Sequence, residues 1–328
     1  MRPLVIAHRG ASGERPEHTR AAYELAIEQG CDFIEPDLVM SRDGHLVVRH
    51  ETLISETTDV AVRPQFADRK TEKTIDGETL EGWFAEDFTL AELKSLRARE
   101  RLPHLRRGSA AYDGREPILS FDEVIAIARA GSERTGRSIG VYPELKHPSH
   151  LRSEGLDAEA ALLRVLKREG WTGADAPVFV QCFEVGTLER LAGKIETPRI
   201  QLIAADAGPA DRADLTPAAM TTPAGLAAIT AYASGIGVDK ALVIPRRSDG
   251  SLGAPSALAA DAHRAGLAVH AWTFRAENHF LPAGLRRGEQ AAAHGDLAAE
   301  LAAFYAAGVD AVFSDFPAVA VAARAAKA

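Results

Sequence analysis

Cysteine is scarce. The 328 residues include two, Cys31 and Cys182, too few for a disulfide scaffold. Both sit beside apolar runs, so buried free thiols are expected. No apolar run approaches the ~20 residues of a membrane span, which argues against stable membrane insertion. Positive charge is not in excess: 38 basic residues face 46 acidic ones, a formal net charge of −8. That argues against broad nucleic-acid binding, which needs basic surface. An anionic substrate must therefore be drawn in by local cations. No Gly-x-Gly-x-x-Gly follows the first strand-like run, so a dinucleotide fold lacks its fingerprint. The first strand starts almost at the N-terminus, so no signal peptide is expected. The compartment is then cytoplasmic, or periplasmic if a leader has been trimmed.

Apolar residues make up 46% of the chain, ordinary for a protein with a sizeable core. They alternate between strand-like and helix-like patterns. Apolar runs start near Leu4, Phe33, Ile139, Val178, Arg199, Gly235, Leu267 and Ala311. Helical patterns separate them, among them Arg20 to Gln29, Leu156 to Glu169, Val185 to Ala192 and Ala318 to Lys327. Eight such repeats predict a parallel TIM (β/α)8 barrel; a doubly wound open sheet is the alternative. Residues 1–328 read as one catalytic domain. Between Glu51 and Pro117 the pattern breaks, apart from the capping box Thr89-Leu-Ala-Glu92. This stretch, 51–117, reads as an insertion after the second strand, packed at the barrel mouth. Long excursions of this kind are usually functional.

Polar groups crowd the ends of the first runs. Glu35 and Asp37 are two apart, so on a strand both carboxylates point to one side. They repel unless a cation sits between them, and oxygen ligands suit Mg²⁺ or Ca²⁺. Pro36 removes a ladder bond there and predicts a bend.

The ordered set His8-Arg9-Gly10, Pro16-Glu17-His18-Thr19, Glu35-x-Asp37, Asp43-Gly44 and Val47-Val48-Arg49-His50 resembles the glycerophosphodiester phosphodiesterase family. Tyr142-Pro-Glu-Leu-Lys146, Val180-Gln-Cys-Phe183, Gly235-Ile-Gly-Val-Asp239 and the run from Gly308 to Pro317 extend the likeness over nearly the whole chain. The third and fourth strands look most like its bacterial periplasmic branch. The resemblance implies a metal-dependent hydrolase that releases sn-glycerol 3-phosphate and an alcohol from small glycerophosphodiesters. It assigns one divalent cation, Ca²⁺ or Mg²⁺, to Glu35, Asp37 and Glu144, and acid–base work to His8 and His50. Two departures stand out: Glu51 follows the second histidine where aspartate is common, and His18 stands where the family has asparagine.

The residues support those roles independently. Imidazole titrates near neutral pH, so one histidine can act as base and the other as acid. Arg9 can fork onto phosphate oxygens and Lys146 adds a point charge. Glu17 is expected to orient Arg9. Gln181, Phe183 and Trp272 are expected to line the glycerol and headgroup pocket, with Trp272 able to face a quaternary ammonium. His270 is a weaker pocket candidate, and the remaining histidines, His18 included, are read as bystanders. An ion pair with Lys146 is the competing account of Glu144. Two other functions stay open. One is a lysophospholipase D-type hydrolase, needing an apolar groove for which Trp83, Phe84 and Phe88 are candidates. The other is a non-catalytic barrel that binds anionic headgroups.

Overall fold

The computed structural model describes residues 2–326. Eight parallel strands form its centre. The first is Leu4–His8. The second is split at Pro36 into Phe33–Glu35 and Asp37–Met40, the interruption expected where proline cannot donate. The third is also in two pieces, Gly140–Val141 and Glu144–Leu145. Val180–Cys182, Arg199–Ile203, Gly235–Asp239, Ala268–Phe274 and Ala311–Ser314 follow. Each pairs in parallel with the next, and the eighth returns to the first through Leu4 and Ala311. The ring is closed, a TIM barrel. A short strand, Leu46–Val48, hairpins back onto the second strand and lies outside the ring.

Inside the ring, Ile6, Tyr142, Ile200 and Phe313 fill the lumen. His270 belongs to this layer and not to a ligand pocket: it is buried, and its Nδ1 meets Tyr142 Oη at 2.7 Å. Gly140 makes room, since a Cβ there would lie 2.1 Å from the Phe33 ring. The outer layer of helices buries its apolar faces on the strands. The first helix, Arg20–Glu28, is capped by Thr19 as expected. It turns Tyr23 and Ile27 inward with Ala22 and Ala26, whereas Leu25 and Gln29 are only half-buried. The Phe121–Thr135 helix runs through Gly131 and stops at left-handed Gly136. The final helix is Pro317–Ala325; its expected end at Lys327 lies outside the described residues. Among the described residues no helix is long and apolar enough to cross a membrane.

Residues 51–117 form a small core of their own, with Ile54, Phe66, Phe88, Leu93 and Leu96 packed on Val39 and Val47. They contain a hairpin, Thr71–Ile75 with Glu78–Gly82, turning at Asp76-Gly77. Both turn residues have positive φ, 50° and 85°, the geometry that Asp-Gly favours. Phe84 and Phe88 are fully buried, and Trp83 Nε1 donates to Phe66 O at 2.6 Å. These aromatics hold the insertion together and do not form an apolar groove.

Candidate active site

Strand register assembles the site. His8 stands opposite Glu35, Asp37 opposite Glu144, and Glu144 opposite Gln181. Neighbouring strands lie about 4.8 Å apart, so residues on adjacent rungs share one strand-end rim. One ligand oxygen from each of Glu35, Asp37 and Glu144 lies within 4.8 Å of the others, and all three residues are buried. His8, Arg9, His50, Lys146, Gln181, Phe183 and Trp272 line the same cavity of about 350 Å³.

Arg9 follows the first strand with φ 59°, a left-handed conformation unusual for a side chain. That turn aims its backbone N–H at Glu35 Oε2, 2.8 Å away. Gly10, at φ 86°, continues the turn where a Cβ would strike the Ala22 backbone at 2.7 Å. The Arg9 guanidinium donates to Glu17 Oε2 at 2.9 Å. Its Nε lies 3.2 Å from Asp37 Oδ2 without hydrogen-bond alignment. Gln181 Nε2 donates to Glu35 Oε1 at 3.2 Å while lining the cavity. Lys146 Nζ donates to Glu144 at 2.8 Å and lies 3.8 Å from Asp37, so the ion pair and the carboxylate cluster coexist. Trp272 meets Phe183 edge-on at 5.9 Å.

His18 is no bystander. It is fully buried, accepts or donates at Tyr23 Oη through Nδ1 (2.8 Å), and reaches Asp37 Oδ2 through Nε2 (2.9 Å). It fixes the carboxylate that Arg9 and Lys146 also surround.

Each pocket histidine is backed by a carboxylate. His8 Nδ1 lies 2.6 Å from Asp315 Oδ1, and His50 Nδ1 bonds Glu51 Oε1. A carboxylate on Nδ1 holds the hydrogen there and leaves Nε2 with its lone pair. The insertion then grips both carboxylates. Arg101 donates twice to Glu51 (2.9 and 2.7 Å) and twice to Glu17 (2.9 and 2.7 Å). Arg106 donates to Asp315 at 2.5 Å, to Glu277 at 2.6 Å and to Ser12 O at 3.0 Å. Arg275 adds a 3.0 Å bond to Asp315. Arg49 is fully buried, and its guanidinium has no hydrogen-bond partner among the described residues.

The electrostatics follow from burial and crowding. Burial and then Arg9 lower His8 to about 4; burial, Arg9 and Lys146 lower His50 to about 3. Both imidazoles are neutral near pH 7. Burial, then the Asp37 and Glu144 charges, push Glu35 well above the carboxylate range. Glu144 is raised to about 8, first by burial and then by Asp37, with Lys146 opposing. Asp37 goes the other way because Lys146, His50 and Arg9 outweigh its burial. Two carboxylates held above their ordinary range beside a third are under-compensated, and this donor set fits a hard divalent cation.

A closed barrel whose strand ends gather carboxylates, imidazoles and cations around one small cavity belongs with the phosphoric diester hydrolases. More specifically, residues 8–319 match the glycerophosphoryl diester phosphodiesterase family, and the chain belongs to that family. A glycerophosphodiester phosphodiesterase of Arabidopsis thaliana is 37% identical over 292 residues, covering 85% of this chain and 76% of that protein. One from Haemophilus influenzae is 36% identical over 57% of this chain, but the match spans 51% of the relative. In structure, the chain is similar to an Oleispira antarctica phosphodiesterase solved with sn-glycerol-3-phosphate (TM-score 0.63, 24% identity, 98% and 96% covered). It is also similar to a glycerophosphodiester phosphodiesterase from Agrobacterium tumefaciens (0.59, 20%, 98% and 99%).

Proposed function

We propose that the protein hydrolyses small glycerophosphodiesters to sn-glycerol 3-phosphate and an alcohol. One observation carries this reading: two carboxylate-backed imidazoles and the Glu35–Asp37–Glu144 cluster line a single small cavity beside Arg9 and Lys146. When bound by those three carboxylates, Mg²⁺ or Ca²⁺ supplies charge neutralisation and makes a nearby hydroxyl more acidic.

The chain's own groups do the rest. Arg9, held by Glu17, forks onto the phosphate, and Lys146 adds a point charge. One neutral imidazole accepts the proton of the attacking hydroxyl through Nε2. The other gains its proton when the phosphate anion enters, because a nearby negative charge raises an imidazole pKa. It then gives that proton to the leaving alkoxide. Arg101 and Arg106 position these histidines through Glu51 and Asp315. On this reading 1–328 is one catalytic unit, and 51–117 closes its mouth as a strap.

Two observations disfavour a lysophospholipid substrate. Trp83, Phe84 and Phe88 are internal to the insertion, and the one large hydrophobic well exposed among the described residues is Val62. The direct test follows the released amino alcohol from glycerophosphoethanolamine, glycerophosphocholine and lysophosphatidylcholine, because the last would leave an acylated glycerol phosphate. Turnover of the first two, and not the third, is expected; the reverse order would overturn the reading. Exhaustive chelation should abolish turnover, and added Mg²⁺ or Ca²⁺ should restore it.

Stability gives a second readout of the cation. Glu144 has a folded pKa near 8, above its ordinary 4.5, so the folded state holds this proton more tightly than the unfolded chain. Metal-free protein therefore loses stability as pH rises from the ordinary carboxylate range through about 8. A bound cation displaces that proton and removes the loss. The difference in melting temperature between metal-loaded and chelated protein should widen from pH 6.5 to 8. A constant gap would count against Glu144 as a ligand.

A further inference from the structure

A second recess of about 380 Å³ opens off the catalytic cavity; Asp239, Lys240, Thr273 and Arg275 line both. Its far wall is built from Arg246, His279, Phe280 and Glu300. The catalytic cavity sits at the low end of the ~300–1,000 Å³ typical of ligand sites, room for a glycerol phosphate. The adjoining recess is where the remaining alcohol of a diester has space.

Its chemistry is mixed and strongly polar. Glu300 is fully buried: one oxygen accepts from Lys240 Nζ at 2.8 Å, and Oε2 has no partner among the described residues. A buried, unpaired carboxylate oxygen on a cavity wall calls for a donor from a ligand. Arg246 and Arg275 keep N–H groups beyond those used on Phe280 O and Asp315. The aromatic faces are already taken. Of the phenylalanines on its wall, Phe280 has the Arg275 guanidinium 4.7 Å from its ring centre, and Phe304 packs edge-on against Phe274 at 4.9 Å. A quaternary ammonium, which has no donor and needs a free aromatic face, finds neither.

We infer that this recess binds the leaving alcohol and selects headgroups bearing several hydroxyls, each able to donate to Glu300 and accept from Arg246 or Arg275. The inference rests on the hydrolase reading above and narrows its substrate class. It departs from the expectation that Trp272 faces a quaternary ammonium: Trp272, edge-on to Phe183 at 5.9 Å, lines the catalytic cavity and not the recess.

The test compares kcat/KM of the full chain, with Mg²⁺ or Ca²⁺, on glycerophosphoglycerol, glycerophosphoinositol and glycerophosphocholine. A site built around hydroxyls rejects an analogue without them, so a preference of about tenfold or more for the two polyol substrates is expected. Glu300→Gln and Arg246→Ala should each cut that preference several-fold, mainly through KM. Arg246 is exposed, so its variant keeps the test decisive if the buried Glu300 change impairs folding. Equal or better use of glycerophosphocholine, or an unchanged preference in Arg246→Ala, would overturn the recess assignment alone. No glycerol 3-phosphate from any of the three would overturn the hydrolase reading and this inference with it.

Discussion

His8→Ala and His50→Ala each lower kcat by about 10²–10⁴-fold, the usual contribution of a positioned acid or base, while the protein still folds. The folded state survives because neither deletion strands a charge. Without His8, Asp315 keeps Arg106 and Arg275; without His50, Glu51 keeps both bonds from Arg101. Circular dichroism and melting curves near wild type, with turnover lost, are the expected outcome. Near-normal turnover in either variant would remove that residue from the mechanism. The two variants also differ in a way that assigns roles. A substrate with a more acidic leaving alcohol should rescue loss of the acid and not loss of the base.

Arg106→Ala has the opposite profile, with a large stability effect and a secondary effect on rate. Arg106 is buried between Asp315 and Glu277, both fully or nearly fully buried. Removing one partner of such a set costs about 3–5 kcal/mol because it leaves buried charge uncompensated. Arg275 still reaches Asp315, so Glu277 suffers most. Turnover should fall about 10–100-fold, as for other groups that orient a reactive side chain. Arg106→Lys should recover part of the stability but little of the rate, since one ammonium cannot reproduce the fork that spans Asp315, Glu277 and Ser12 O. Chemical denaturation and kcat on the same preparations separate the two effects. Wild-type stability in Arg106→Ala would show that the insertion does not lock the site.

The barrel was legible because its signal is repetitive. Eight apolar runs, each followed by a helical pattern, leave few alternatives. Within the site, Glu35 and Asp37 could be read together because a strand's period of two puts them on one side. Glu144 needed the resemblance, since nothing local links it to residues a hundred positions earlier; barrel register does that. His18 was misread for a physical reason. Its importance lies in burial against Tyr23 and Asp37, and sequence carries no measure of burial at a loop residue with φ 60°. Asp315 had a usable signal, an acid at the C-terminal end of the last strand, where barrel sites form. Arg101 and Arg106 had none. They lie in an irregular stretch where charges alternate freely, and their partners are 50 to 209 positions away. The Asp76-Gly77 dipeptide did carry a usable hairpin signal, which reading 51–117 as irregular passed over.

The pairing of His8 with Asp315 has a consequence for folding. The imidazole ends the first strand of the ring and its carboxylate follows the eighth, 307 positions along the chain. The ring cannot close until the eighth strand reaches the first. The carboxylate backing of that imidazole therefore arrives with closure of the ring, a long-range contact that no local segment can form alone.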